Sequence, residues 1–492
     1  MAKTLNTLAL DLGAESGRAI LGQFDGQRLA LTDVHRFANG PVRLPDGLHW
    51  DVLRLWSDIK AGIAKASREH GGEIASIGLD TWGVDFALLD RRGALIGNPT
   101  HYRDDRTDGM LEEAFRRVPR KEIFEQTGIQ FLQLNTLYQL LSMVLQQSPE
   151  LEIAETLLTI PDLFNYWLTG RKACEFSFAT TTQCYDPRKK DWAWPLLETL
   201  DIPTHIFTEI VPPGSLRGPL LPAVAEEIGA AGTQVIAPAC HDTGSAVVAV
   251  PAERPGFAWI SSGTWSIMGA EVPEAIITPE SLRYNFTNEG GAGGTFRFCK
   301  NIMGLWLVQE CRRWWAAHGE EWNYTELTQM AAEARPFICV VEPDYGDFLK
   351  PGDMPARIRS YAGRTAQPVP ETKGEIVRSA LEGIALKYRY VLEKAEEILG
   401  HRLEPIHIVG GGTQNRLLSQ FTADATGRPV LTGPVEATAM GNSLMQAVAL
   451  GHLGSLWDAR AVVRNSSEVL TFEPGERVGW DDAYERLLRL VA

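Results

Sequence analysis

Cysteine is scarce and scattered. The six present (Cys174, Cys184, Cys240, Cys299, Cys311 and Cys339) form no CxxC pair and have no His-rich neighbour. That spacing speaks against a disulfide framework and a zinc site and for reduced thiols. Long apolar runs are missing too: nowhere do eighteen apolar residues follow one another, and the N-terminal MAKTLNTLALDLG meets Asp11 too early for a signal peptide. A cytoplasmic protein without membrane contact is expected. Cations are in deficit, with 47 Lys and Arg against 62 Asp and Glu and a formal net charge of −15. Such a field disfavours nucleic-acid partners and acidic membranes, so an anionic ligand would need a local cradle of amides or cations. Two common nucleotide signatures are absent as well. There is no GxxxxGK[ST] loop, and in VGGGTQN the third glycine of a Rossmann fingerprint is replaced by Asn415.

What remains is a glycine-rich chain of 492 residues, 46 of them Gly, and 44% hydrophobic. That length exceeds one ordinary core, so at least two domains are expected. Leu5 to Leu10 reads as a buried strand, Gly13 to Gly17 as a break and Arg18 to Phe24 as a second strand. Asp25–Gly26 is a hairpin turn into a third strand near Leu29 to His35. Trp50 to Arg68 has helical apolar spacing opened by Asp51, and Ile74 to Leu79 is a strand ending at Asp80. A second series begins with a strand at Phe257 to Ser261, a Ser262–Gly263–Thr264 turn and a strand at Trp265 to Ala270. It continues with a helix over Glu375 to Leu399 and a strand at Pro405 to Val409. That strand runs into Gly410–Gly412, and a helix follows from about Asn415. The halves rhyme, which predicts a duplicated α/β domain with a boundary in the Pro-rich, charged link near Val247 to Gly256.

Five stretches can carry chemistry. DLGAESGR delivers Asp11 to a turn whose accessible amides can bind phosphate oxygens, with Asp11 also able to hold Mg²⁺ through water. A hairpin with an Asp bonding its own backbone explains the string equally well. SSGTWS repeats such a turn in the second half. VGGGTQN can admit a nucleotide to a helix N-terminus, although a purely structural turn accounts for it alone. In APACHDTGSAVVA, Asp242 follows a strand end, where it serves either as a helix N-cap worth roughly 1 kcal/mol or as a base accepting a hydroxyl proton. NIMGLWLVQECRRWW predicts a helix beginning near Asn301, mostly core, with Asn301 and Gln309 as polar groups able to reach a cleft.

Taken together these stretches resemble the FGGY carbohydrate kinases over nearly the whole chain. The matching segments are DLGAESGR (11–18), IGLDTWGVDFALLD (77–90), TGIQF with NTLYQL (127–140), CHDTGSA (240–246), SSGTWS (261–266), TNEGG (287–291), KNIMGLW (300–306), VGGGTQN (409–415) and GPVEAT (433–438). The resemblance implies two ribonuclease H-like domains of the actin/hexokinase/Hsp70 ATPase type, residues 1–247 and 248–492, with an interdomain cleft that holds ATP and closes to exclude water. It implies transfer of the γ-phosphoryl of MgATP to O1 of a ketose, L-rhamnulose. L-fuculose and L-xylulose are alternative acceptors, and a non-catalytic sensor or a sugar-independent ATPase is the alternative class. By motif, Asp242 resembles the catalytic base. Gly83, His241, Asp242, Thr243 and Asn301 resemble sugar contacts. Ala14, Glu15, Ser16, Gly17, Arg18, Thr264, Gln309 and Gly411 resemble the nucleotide site. Glycerol kinases carry Arg–Glu, and xylulokinases Met–His, where this chain has Gly83–Val84. Glu15 departs from a serine found in the family's hairpin. Cysteine pairs of some relatives lack counterparts here, with Thr422 and Thr426 at late positions.

Overall fold

The first three strands form because β1 (Leu5–Leu12), β2 (Ser16–Phe24) and β3 (Leu29–Ala38) are joined by turns the sequence can make. At the second turn Asp25 Oδ1 accepts from the amides of Gln27 and Arg28, and Gly26 takes φ +102°. A computed structural model describes residues 4–70, 73–477 and 479–491. After β3, Asp51 caps helix α1 (Val52–Glu69) by accepting from the Arg54 amide, and the chain returns through β4 (Ser76–Thr81), two residues later than its apolar run suggested. Strands β5 (Ser215–Pro219) and β6 (Gln234–Ala237) complete a sheet of order β5-β6-β4-β1-β2-β3.

Two short helices follow buried strand ends: α2 (Phe176–Thr181) and α3 (Asp242–Val248). The second series contains β7 (Ala258–Ser262), β8 (Trp265–Val272), helices α4 (Trp306–Ala317) and α5 (Lys373–Leu399), β9 (Ile406–Val409), α6 (Arg416–Thr426), β10 (Val430–Thr432), α7 (Ala437–Ala449) and β11 (Leu470–Phe472). Helix α5 opens with a reciprocal cap between Thr372 and Glu375, and α6 is capped by Asn415. The helix expected near Asn301 begins only at Trp306; Asn301 lies on the strand Phe296–Met303. The chain must stay extended there. The Met303 amide donates to Asp344 Oδ1, and the Gly304 and Leu305 amides donate to the β7–β8 turn.

The chain divides into two compact units: Met1–Ala249 with Glu271–Phe298 and Ala437–Ser466, and Val250–Ala270 with Cys299–Glu436 and Ser467–Ala492. In unit 1, β1 pairs antiparallel with β2 and parallel with β4; β4 pairs parallel with β6, and β6 antiparallel with β5. Unit 2 repeats this ladder: β7 antiparallel with β8, β7 parallel with β9, β9 parallel with β10, and β10 antiparallel with β11. The duplicated α/β domain expected from the sequence is therefore present in its central ladder, although β5 precedes β6 in the chain whereas β11 follows β10.

Parallel strands are buried on both faces, which explains their near-continuous apolar runs. On one face of the unit 1 sheet Leu8, Leu10, Leu12 and Leu79 pack with Leu55, Ile59 and Ile63 of α1, all fully buried. Each such side chain contributes about 1.5–3 kcal/mol. On the other face Ala9 and Ile20 meet Ala439 of α7. That helix also approaches α3 backbone to side-chain distance: a Cβ on Gly441 would lie 1.8 Å from the Ser245 carbonyl oxygen.

Candidate active site

In unit 1 the ladder brings three carboxylates to neighbouring strand ends. Asp11 on β1 stands in register with Asp80 on β4 and, across the hairpin, with Arg18 on β2, whose guanidinium it accepts. The backbone-bonded Asp11 envisaged for an ordinary turn is replaced by this cross-strand ion pair. Asp242 opens α3 just beyond β6. His241 occupies the cap position, so Asp242 is the first helical residue, one place later than an N-cap. Its Oδ1 accepts from the Thr243 amide at 2.5 Å and the Thr243 hydroxyl at 3.1 Å, which fixes the carboxylate.

These groups feel one another. Burial first, then repulsion from Asp11 and Asp242, pushes the Asp80 carboxyl well above the ordinary range, against a hydrogen bond from Asn442 of α7 at 2.5 Å. The other Asp80 oxygen, Oδ1, is buried without a hydrogen-bond partner among the described residues. Asp242 is also raised, by burial and by Asp11, with His241 opposing; 31% of its side chain is nevertheless accessible, so the carboxyl is reachable from one side. A set of hard oxygen donors, mutually repelling and with one orphaned oxygen, fits a divalent cation such as Mg²⁺. Among the described residues no group of three or more His, Cys, Asp or Glu side chains forms a direct ligand cage. The fit is to a cation that keeps most of its waters.

Beside these carboxylates lies the 241–243 segment. Thr81 bridges to His241 in parallel register. Glu175 ties the segment to α2: its Oε1 accepts from the Ser177 amide, and its Oε2 from the Cys240 amide at 2.9 Å and the Ser177 hydroxyl. The Ser177 hydroxyl oxygen in turn accepts from the His241 amide. Burial pushes Glu175 up to about 7. A Cβ on Gly83 would lie 3.3 Å from His241 Nε2 and 3.5 Å from the Thr181 hydroxyl, so glycine keeps this ring edge open. Val84, next in the chain, holds φ 69°, a left-handed conformation costly for a β-branched residue. Its amide donates to the Thr181 hydroxyl, and its carbonyl accepts from the Thr136 hydroxyl.

The turn of the β1–β2 hairpin closes through the Gly13 amide and the Ser16 carbonyl, with Ala14 and Glu15 at its tip and Ser16 exposed. Asn39 straps it, its side chain donating to the Gly13 carbonyl and its amide to that of Glu15. Gly17 is required by packing: a Cβ would lie within 2.1 Å of the Phe37 ring.

Unit 2 holds Thr264, Gln309, Gly411 and Asn301. Its β7–β8 turn closes between the Gly263 amide and the Trp265 carbonyl, and the amides of Gly304 and Trp306 secure the Thr264 carbonyl. Gln309 lies in the first turn of α4 with its buried Oε1 unpartnered among the described residues. Gly412 packs on the hairpin, where a Cβ would fall 2.0 Å from Ser262 Oγ, while Gly411 is exposed with nothing within 4 Å of its missing Cβ. Hairpin and glycine turn thus form one surface. Sequence reasoning placed Ser262 in the hairpin turn but did not foresee its packing against Gly412. In unit 1 it likewise missed Glu175, Glu289 and Arg297, although TNEGG contains Glu289.

A duplicated α/β frame, a carboxylate at a helix start and a glycine–hydroxyl turn in each unit fit an ATP-dependent phosphotransferase acting on a hydroxyl. The chain belongs to the FGGY family of carbohydrate kinases: the family's N-terminal domain model matches residues 6–249 and its C-terminal domain model residues 258–450. It is a sugar kinase that uses ATP. A rhamnulokinase of Bacteroides thetaiotaomicron is 42% identical over 479 residues, spanning 97% of this chain and 98% of that protein. One of Oceanobacillus iheyensis is 40% identical, spanning 94% and 97%. Among solved structures, the xylulose kinase of Lactobacillus acidophilus shares the fold with TM-score 0.81 at 16% identity, covering 99% of this chain and 97% of that one.

Proposed function

We propose that this kinase phosphorylates L-rhamnulose at O1, giving L-rhamnulose 1-phosphate and ADP. The observation that carries the reading is Asp242: a raised, partly accessible carboxylate, held by Thr243, beside His241 and the open edge at Gly83. Asp242 takes the O1 proton as O1 attacks the γ-phosphorus, and the bond from phosphorus to the ADP oxygen breaks. A base so placed contributes about 10²–10⁴-fold. Gly83, His241, Thr243 and Asn301 position the sugar. Ala14 to Arg18 in unit 1 and Thr264, Gln309 and Gly411 in unit 2 serve the nucleotide. Asp11 and Asp80 would hold Mg²⁺, which would supply charge neutralisation on the phosphates.

The sugar is favoured by the near-full-length identity to two rhamnulokinases and by Gly83–Val84, which leaves room where bulkier pairs stand in other kinases. The scatter and burial of the six cysteines support a cytoplasmic setting. Among the described residues no helix is long and apolar enough to cross a membrane. A coupled ADP assay across L-rhamnulose, L-fuculose, L-xylulose, D-xylulose and glycerol tests the reading. The highest kcat/KM is expected for L-rhamnulose. Equal turnover without sugar, or a higher value for another acceptor, overturns it.

A further inference from the structure

His241 has two ring nitrogens, and the structure treats them differently. Nδ1 lies 3.0 Å from Arg297 Nη2 with hydrogen-bond geometry, while Nε2 lies 3.4 Å from Asp242 Oδ1 on the side that Gly83 leaves open. Arg297 is fully buried. Its Nε donates to the Gly290 carbonyl at 2.9 Å, and its Nη2 is also 3.1 Å from Glu289 Oε2. A guanidinium is always charged and only donates. Nη2 points a hydrogen at Nδ1, while Glu289 Oε2 stands at ion-pair distance only. Nδ1 must then present its lone pair, which puts the ring hydrogen on Nε2. Glu289 Oε2 competes from 3.3 Å, at ion-pair distance from Nδ1. A hydrogen on Nδ1 would point N–H against N–H and sacrifice the Arg297 bond. The guanidinium is retained even though its buried Nη1 has no hydrogen-bond partner among the described residues.

We infer that Arg297 is a positioning residue that locks His241 as the Nε2–H tautomer, so that His241 is a hydrogen-bond donor to an oxygen of the acceptor sugar. This rests on the reading that the sugar lies at residues 241–243. The sugar atom it meets is a hydroxyl or carbonyl oxygen acting as acceptor, which leaves proton removal to Asp242.

The test uses the full-length kinase with ¹⁵N-labelled histidine, His241 being assigned by the signal lost in His241→Gln. The expected long-range ¹H–¹⁵N spectrum shows Nδ1 as an unprotonated, imine-type nitrogen and Nε2 as an N–H. A protonated Nδ1, alone or in an imidazolium, overturns the inference. In kinetics, Arg297→Met combined with Glu289→Gln, which leaves no lone buried carboxylate, should mix the tautomers. It should lower kcat/KM for L-rhamnulose about 10-fold, the scale of one hydrogen bond, with the KM for ATP unchanged. Arg297→Lys keeps a donor and should recover most of the loss. Unchanged kcat/KM with mixed tautomers sinks the role in sugar binding. If the double variant does not fold, the wild-type spectrum decides alone. The two readings fail separately: an Nε2–H ring in a protein inactive on L-rhamnulose refutes the sugar, and an Nδ1–H ring in an active one refutes the lock.

Discussion

At the end of β1 unit 1 has Asp11, in register with Asp80 and Arg18; at the matching place on β7 unit 2 has Ser261, in register with Val409 and Ile267. Beyond β6 the next helix opens on Asp242, and beyond β10 the next helix opens on Ala437, after Gly433. One ladder therefore carries charge in one copy and hydroxyls and glycines in the other. Some buried carboxylates differ too, although Asp11 and Glu289 of unit 1 are ion-paired, as Glu342 of unit 2 is. In unit 1, Asp85 accepts from the Trp50, Trp82 and Gln139 side chains, and Glu175 from amides and a hydroxyl, all neutral donors. In unit 2, Glu342 is paired with Lys387 at 2.6 Å. Burial against neutral partners keeps Asp85 and Glu175 close to taking up a proton. A neutral surface of backbone and hydroxyls suits a polyphosphate.

The largest expected effect falls on unit 1. Asp242→Asn should lower kcat about 10²-fold or more in the ADP assay while calorimetry shows sugar binding largely intact, because only the base is lost. Full activity in this variant would place the base elsewhere. Next, Gly441→Ala pushes a Cβ against the Ser245 carbonyl and should destabilise unit 1 by about 2–3 kcal/mol, read as a lower Tm. Asp85 gives a pH signature. Its carboxyl is pushed up to about 6 by burial, so between about pH 4 and 6 the folded state keeps a proton that the unfolded chain has lost. Its contribution is therefore full below pH 4, falls as pH rises to 6, and is flat above. Denaturation of wild type relative to Asp85→Asn should show that fall, on the order of 2 kcal/mol. The smallest effect belongs to unit 2: Thr264→Ala should raise the KM for ATP about 3- to 10-fold and leave the sugar KM alone, a single hydrogen bond's worth.

Much of this was legible in the sequence. Hairpin turns, capped helices and β-branched runs are local signals, and they located β1–β3, β7–β9, α1, α5 and α6 within a few residues. Asp242 stood out because a polar residue closing a buried strand must face something. What escaped was nonlocal. Glu175 reaches the Cys240 amide over 65 residues, Arg297 reaches His241 over 56, and Asn442 reaches Asp80 over 362. No periodicity records such pairs. The return of Glu271–Phe298 and Ala437–Ser466 into unit 1 leaves no compositional mark either. The error at Asn301 has another cause. The apolar spacing of 301–315 fits a helix, but amides bonded to the β7–β8 turn and to Asp344 hold its first residues extended.

The proposed sugar role of Gly83 and nucleotide role of the Gly411 turn are tested most directly by one pair of glycine variants assayed together. Gly83→Ala crowds His241 Nε2 in unit 1, and Gly412→Ala displaces the glycine turn from Ser262 in unit 2. Gly83→Ala should raise the KM for L-rhamnulose about 10-fold with the KM for ATP unchanged, and Gly412→Ala should do the reverse. Variants that move both constants together, or each the other's constant, would contradict a sugar contact beside Gly83 and a nucleotide contact at the Gly411–Gly412 turn.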